Sequence, residues 1–272
     1  MAKRLIINAD DYGHTPGTCL GIREAHLEGI VSSTTAMMNR PLAPAELTIA
    51  ARACPNLGVG VHLVVTTGKP LLPVEKVSTL VDGNGEFLTP ANLVEKLEVV
   101  DLDQVWAEWN AQVEKFVRHY GKNPDHLDSH HHFSYYTPEL FNRMTKLAAQ
   151  LKCGIRRPYQ PIKEETVVYL PKELVEIAVS KYGDFTSREL PPTTNRFIGS
   201  FFREGATLEH MLEIFEEIAS DLDHETFEIM CHPAKMDHEL GKRSDYSTKR
   251  VTELSILQHP DARKKLDELG IQ

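Results

Sequence analysis

Short β-rich runs alternate with helical stretches from one end of this chain to the other, and that alternation restricts the fold more than any other feature. Leu5-Ile6-Ile7 is apolar at successive positions, as expected for a parallel strand buried on both faces, and it ends in Asn8-Ala9-Asp10-Asp11-Tyr12-Gly13. Thr15-Pro16 opens a helix with apolar positions at Leu20, Ile22, Ala25 and Leu27. A β-rich run at Ile30–Met38, a helix at Pro44–Ala53 and a strand at Leu57–Val64 follow. Further helices are expected at Leu93–Glu98 and Asp103–Tyr120, the latter with an apolar stripe of Val105, Trp109, Val113, Phe116 and Val117. Pro124-Asp125-His126-Leu127 begins another strand, and Pro138–Leu151 another helix. Strands at Cys153–Pro158, Arg196–Ser200 and Glu225–Cys231 alternate with helices at Leu174–Tyr182 and Leu208–Leu222; helices at Ser247–Leu257 and Pro260–Leu269 close the chain. With no internal repeat and no linker, the pattern predicts a single domain over residues 1–272, an α/β fold of the (β/α) TIM-like barrel type, incomplete or distorted in detail.

The polar residues are not spread evenly over this pattern. Asp10-Asp11, His62, Asp128-Ser129-His130-His131-His132 and His232 all fall at inferred strand ends, and in a parallel barrel such ends open on one face. One carboxylate and two imidazoles can hold a divalent ion and leave positions open for water and substrate. A second carboxylate can take a proton from that water, and a further histidine can protonate a leaving group. The constellation therefore points to metal-assisted hydrolysis. Each residue taken alone has a plainer reading: Asp10-Asp11 as a turn cap, His62 as a hydrogen-bonded core histidine, His232 as the end of a strand, and the triple histidine as a solvated tract. Their coincidence at strand ends favours a site. His14, His26, His119, His126, His210, His224, His238 and His259 fall in helices or loops and are read as surface residues. On an extended strand His130 and His132 share a side and His131 faces away, with Asp128 on the same side as His130, where it can brace an imidazole.

The blocks Asn8-Ala9-Asp10-Asp11-Tyr12-Gly13, Ser33-Thr34-Thr35-Ala36-Met37, Gly60-Val61-His62-Leu63, His126-Leu127-Asp128-Ser129-His130-His131-His132 and Met230-Cys231-His232-Pro233-Ala234 resemble those of the YdjC-like carbohydrate deacetylases, the chitooligosaccharide deacetylase family. The resemblance runs through nearly the whole chain in the family's order, and residues 159–195 carry no motif. It implies a polysaccharide-deacetylase-like barrel that hydrolyses the N-acetyl group of short N-acetylglucosamine oligosaccharides, chitobiose or its phosphate, and releases acetate. It also implies a divalent ion, Mg2+ in the family, held by Asp11, His62 and His130, although two imidazoles would suit Zn2+ or another transition ion. By similarity to the NodB-type deacetylases, Asp10 would be the general base and His232, as an imidazolium, the general acid. Arg156, in Arg156-Arg157-Pro158-Tyr159, resembles the arginine of their Arg-x-Pro-Tyr element, which orients the catalytic acid. Members usually continue past the last helix into a closing strand, whereas this chain stops at Gly270-Ile271-Gln272, which leaves barrel closure open.

Composition narrows the alternatives. A formal charge of −9 argues against sequence-independent nucleic-acid binding, and no apolar run approaches the ~20 residues that span a bilayer. Met1-Ala2-Lys3-Arg4 leads directly into the first strand, with no room for a secretory segment, and Cys19, Cys54, Cys153 and Cys231 are scattered like buried thiols of a reducing compartment. A cytoplasmic protein acting on a small oligosaccharide is expected, and the resemblance admits a homodimer. Two other functions fit the same residues: a metal-dependent amidase or hydrolase acting on a different small amide, and a non-catalytic metal- or sugar-binding protein. The Gly- and Pro-rich stretch Thr66–Pro90 is expected to form a substrate rim or lid.

Overall fold

A computed structural model describes residues 2–157, 190–243 and 246–272. Its strands, in chain order, are β1 (Arg4–Tyr12), β2 (Ser33–Ala36), β3 (Gly58–Leu63), β4 (His126–Ser129), β5 (Gly154–Ile155), β6 (Arg196–Ile198) and β7 (Thr226–Cys231). The helices are α1 (Pro16–Leu27), α2 (Ala43–Ala53), α3 (Pro90–Glu95), α4 (Leu102–Tyr120), α5 (Pro138–Leu151), α6 (Leu208–Ser220), α7 (His238–Arg243), α8 (Ser247–Leu257) and α9 (Pro260–Leu269). Thr-Pro opens three of these helices, α1, α3 and α5: in each the threonine oxygen accepts an N–H of the first turn, and proline fills a position with no donor to lose. The helix expected at Leu174–Tyr182 lies outside the described residues. Most strands are shorter than the sequence suggests, β2 and β5 above all, whereas β1 runs on through Asp10 and Asp11 to Tyr12.

All strands pair in parallel in the order β5-β4-β3-β2-β1-β7-β6. In a flat sheet β5 and β7 would lie about 24 Å apart, five steps of ~4.8 Å. Yet Arg156, the residue after β5, donates from Nε to Glu228 on β7 at 2.7 Å and from Nη1 to Asp10 on β1 at 2.8 Å. The sheet is therefore rolled into a barrel whose described strands leave one gap, between β5 and β6. The approach to β6 partly bridges that gap, since Ile155 N–H donates to Pro192 O at 2.9 Å. The chain end is not where the barrel opens: Gln272 pairs with the start of β1, through Leu5 N–H to Gln272 O at 2.7 Å and Gln272 N–H to Lys3 O at 2.9 Å. This corrects the expectation drawn from the missing closing strand.

The barrel interior is polar. Asn8 and Asp10, two apart on β1, face the same side, and Asn8 Nδ2 donates to Asp10 Oδ1 at 2.8 Å. His126 Nε2 lies 3.1 Å from Asn8 Oδ1 across the interior, so this histidine, expected on the surface, is a barrel residue. His14 is also buried. Apolar packing sits outside the strands, where α4 buries Val105, Trp109, Val113 and Phe116. Glu108 and Gln112 share that buried face and hold the chain leaving β3: Gln112 bonds both Val64 N–H (2.9 Å) and Val64 O (2.7 Å), and Glu108 accepts from Leu71 and Leu72 N–H. The Thr66–Pro90 stretch is thereby tied to a helix at Leu71 and Leu72.

Room for His126 depends on Gly60. A Cβ on Gly60 would stand 2.5 Å from His126 O and 2.8 Å from its ring. Gly60→Ala is expected to destabilise the fold by about 1–3 kcal/mol through overpacking against backbone. A denaturant midpoint unchanged from the parent protein would contradict that packing.

Candidate active site

At the carboxyl ends of the strands lies a cleft of about 270 Å3, lined by Asp10, Asp11, His62, His130, His131, His132, His232 and Arg250 among others. Neighbours on a regular strand point to opposite faces, so Asp10 and Asp11 could not both reach it from an unbroken β1. The register between β1 and β2 shifts between Ala9 and Tyr12, and Asp11 has φ of 71°. This local bulge, with Asp in the left-handed region it tolerates better than most residues, turns both carboxylates to the cleft.

Three lone-pair donors converge there. Asp11 Oδ1 is 3.4 Å from His62 Nε2 and 3.0 Å from His130 Nδ1, and the two ring nitrogens are 3.2 Å apart. Despite these distances Asp11 Oδ1 is buried with no hydrogen-bond partner among the described residues. His62 Nδ1 stands 2.6 Å from Asp128 Oδ1, and Asp128 Oδ2 accepts from Thr35 Oγ1 at 3.1 Å. A carboxylate bonded to one ring nitrogen fixes the tautomer and leaves the other nitrogen as a lone pair, the arrangement seen behind metal-binding imidazoles. Burial disfavours the charged ring of His62, but Asp128 outweighs it and pushes the pKa up to about 9, so without an ion Nε2 keeps a proton that a bound cation would displace. An orphaned carboxylate oxygen, two imidazole nitrogens and a braced ring fit a divalent cation held by Asp11, His62 and His130.

The histidine run does not behave as a strand. β4 stops at Ser129, whose Oγ accepts from Ser134 N–H at 2.9 Å, and His131 and His132 both have left-handed backbones with φ of 54° and 55°. The alternation expected from a strand therefore fails beyond Ser129. His131 is not turned away: it lines the cleft, its ring centroid lies 3.9 Å from that of His130, and its Nδ1 is 3.0 Å from Thr66 Oγ1. His132 also lines the cleft and packs beside Tyr135 and Phe197. Left-handed non-glycine residues cost of order 1–3 kcal/mol each and concentrate at functional sites, as these two do.

Behind the cleft, Arg156 is buried among carboxylates. It donates to both oxygens of Asp10 (2.8 and 2.6 Å) and to Glu228 (2.7 Å), and its Nη1 lies 3.0 Å from Asp128 Oδ2. Among the described residues its guanidinium pairs with these carboxylates and not with His232. Burial alone would raise the Asp10 pKa, but the Arg156 guanidinium overrides it and keeps Asp10 ionised. His232 Nε2 lies 3.9 Å from Asp10 Oδ2, with the Phe202 ring 5.0 Å and the Tyr246 ring 6.2 Å from its own. Burial, reinforced by the charge of Arg250, drops the His232 pKa to about 3, so the ring rests neutral, unlike the imidazolium expected from sequence.

Two residues of α8 were not singled out by the sequence reading. Arg250 Nη2 donates to Asp11 Oδ2 at 2.5 Å. Glu253 accepts the backbone N–H of His232 and, at 2.6 Å, the hydroxyl of Tyr246. A signal for both exists: Arg250, Glu253, Leu254 and Leu257 occupy i, i+3, i+4 and i+7, so two charges sit on the stripe that faces the core. Of the residues expected at the site, Asp10, Asp11, His62, His130 and His232 meet at one cleft, and Arg156 lies directly behind it.

Comparison with known proteins bears on this arrangement. The family model for YdjC-like proteins matches residues 4–268. A carbohydrate deacetylase of Enterococcus faecalis (strain ATCC 700802 / V583) is 34% identical over 271 residues, 99% of this chain and 95% of that one. A chitooligosaccharide deacetylase of Yersinia enterocolitica is 34% identical over 273 residues, covering 99% and 96%. A crystal structure from Enterococcus faecalis V583, provisionally designated a cellobiose-phosphate cleavage protein, is 33% identical with a TM-score of 0.86 and covers 100% of this chain and 96% of that one.

Glu253 makes the site's clearest link between pH and stability. Burial pushes its carboxyl up from 4.5 to about 7. A raised acid favours the protonated form in the folded state, so its contribution is intact below about 4.5 and is lost as pH rises to about 7. Glu253→Gln keeps an acceptor for the His232 N–H but does not titrate. Across that window the parent is expected to lose roughly 1–3 kcal/mol relative to the variant, read from denaturant midpoints. A stability difference flat with pH would contradict it.

Proposed function

The chain belongs to the YdjC-like protein family, and on that premise we propose that it is a divalent-metal-dependent carbohydrate N-deacetylase. Its substrates would be short N-acetylglucosamine oligosaccharides, chitobiose or its phosphate, from which it releases acetate, and one domain over residues 1–272 would carry the activity. The observation that carries this reading is the convergence of Asp11 Oδ1, His62 Nε2 and His130 Nδ1 on one point, with Asp128 behind His62. The deacetylase names of full-length relatives at 32–34% identity support the reaction class. Two imidazoles with one carboxylate suit zinc, manganese or cobalt at least as well as the magnesium expected by resemblance. Among the described residues no helix is long and apolar enough to cross a membrane, and the four cysteines are buried free thiols; the thiols support a cytoplasmic setting.

A bound divalent ion would polarise the acetamide carbonyl and acidify water. The chain supplies the rest. Asp10, kept ionised by Arg156, would accept the proton of the attacking water, and the two guanidinium bonds fix its carboxylate against rotation. His232 rests neutral, so the proton it gives to the departing amine must first reach it. Asp10 Oδ2, 3.9 Å from its Nε2, is the carboxylate from which it would come. Glu253 holds the His232 backbone, and the rings of Phe202 and Tyr246 limit where its imidazole can lie.

Purified protein supplied with Mg, Mn, Co or Zn is expected to release acetate from diacetylchitobiose, and chelation should abolish that release. Asp10→Asn should lower the rate by about 10²–10⁴ with metal affinity retained. No acetate from the free or phosphorylated sugar with any of the four ions would overturn the reading.

A further inference from the structure

Asp10, the proposed base, is held from two sides. Arg156 takes both of its oxygens, and Asn8, two residues earlier on β1, donates a third bond from Nδ2 to Oδ1 at 2.8 Å. Asn8 is fully buried and its whole amide is engaged: Nδ2 also donates to Thr35 Oγ1 at 3.4 Å, and Oδ1 lies 3.1 Å from His126 Nε2. The orientation of this amide follows from its partners. A carboxylate only accepts hydrogen bonds, so the group facing Asp10 is the NH2; the oxygen then faces His126, and the imidazole carries its hydrogen on Nε2. Donors therefore run in one direction across the barrel, from His126 on β4 through Asn8 to the base on β1.

This leaves the two oxygens of Asp10 unlike each other. Oδ1 accepts from Arg156 Nη2 at 2.6 Å and from Asn8, which fills both of its lone pairs. Oδ2 accepts from Arg156 Nη1 at 2.8 Å and has one lone pair over, and it is the oxygen that stands 3.9 Å from His232 Nε2. The difference matters once the carboxylate has taken a proton. The neutral acid is held less firmly by Arg156, because the charge that strengthened those bonds is gone. Either oxygen of an unconstrained carboxyl can carry the hydrogen. With an N–H group on each lone pair Oδ1 has no room for it, and the proton stays on Oδ2.

We propose that Asn8, oriented by His126, is a positioning residue that confines the proton taken up by Asp10 to Oδ2, the oxygen from which His232 is reached. An O–H bond of the attacking water breaks and one forms on Oδ2. That hydrogen then moves to His232 Nε2 and on to the amine, which leaves with the electron pair of the broken C–N bond, and Asp10 regains its charge. The amide substrate and the part played by His232 rest on the deacetylase reading; the inequality of the two Asp10 oxygens rests on Asn8.

Amide and ester substrates separate this role from a structural one. Diacetylchitobiose and acetanilide each need a proton on the departing amine, whereas the phenolate of 4-nitrophenyl acetate leaves without one. Asn8→Leu keeps the volume and removes the donor. In the metal-loaded protein it is expected to lower kcat for both amides about tenfold or more, as a misdirected proton would, with KM, metal affinity and the ester rate within a few-fold of the parent. His126→Leu should act in the same direction at one remove and without altering β1, and His126→Gln, whose amide can place an N–H near the position of Nε2, should restore amide turnover. Amide and ester rates that fall together in these variants, or an amide rate unchanged in both Asn8→Leu and His126→Leu, would overturn the proposal. A parent that cleaves acetanilide with this dependence on Asn8 but releases no acetate from any acetylated sugar would leave the positioning role standing and overturn the deacetylase reading instead.

Discussion

The structure depends on a single buried guanidinium. Arg156 emerges from β5 into the barrel interior and meets carboxylates from β1, β4 and β7, strands that come together only when the sheet is rolled. A buried charge without partners costs several kcal/mol, and removing one partner of such a pair commonly costs 3–5 kcal/mol. The barrel's curvature and the charge pairing therefore require each other. The same contacts reach the chemistry: Asp10 is aimed at the cleft, and Asp128, shared between Arg156 and His62, ties the ion-pair cluster to the metal seat. At and behind that seat, four carboxylates, Asp10, Asp11, Asp128 and Glu228, stand against two guanidinium groups, Arg156 and Arg250. The excess negative charge is offset by a proton on His62 or by a bound cation.

Much of this is legible in the sequence because barrel geometry converts strand ends into neighbours. Asp10, Asp11, His62, His130 and His232 are distant in the chain, and a parallel sheet is enough to gather them. What the alternation of strand residues could not supply is the local backbone. Two adjacent aspartates reach one cleft through a bulge, and His131 and His132 leave the strand through left-handed conformations. Both departures replace the period of two with a geometry that only tertiary contacts select. The placement of His130 survives because it is the first residue past the last regular position, whereas His131 moves from the far side to the cleft.

The residues that sequence reading passed over share one property: they are polar side chains on the buried stripe of a helix. Glu108 and Gln112 interrupt the apolar face of α4 and hold the chain that leaves β3. Arg250 and Glu253 interrupt that of α8 and hold Asp11 and the His232 backbone. Counting only the apolar members of a stripe hides them, although a charge in that position must be paired or must bind something. His126 was hidden for a related reason. Its partner is Asn8 on a distant strand, and its space is made by Gly60, so neither neighbour in sequence reveals it.

The central claim is that Asp11, His62 and His130 form a cation seat organised by Asp128 and Arg156. Anomalous diffraction from crystals grown with manganese, cobalt or zinc examines it most directly. The account predicts one strong peak at the cleft, in contact with Asp11 Oδ1, His62 Nε2 and His130 Nδ1, with Asp128 still bonded to His62 Nδ1. A peak bound by other residues, or an empty seat at saturating ion with the three side chains still converged, would contradict it.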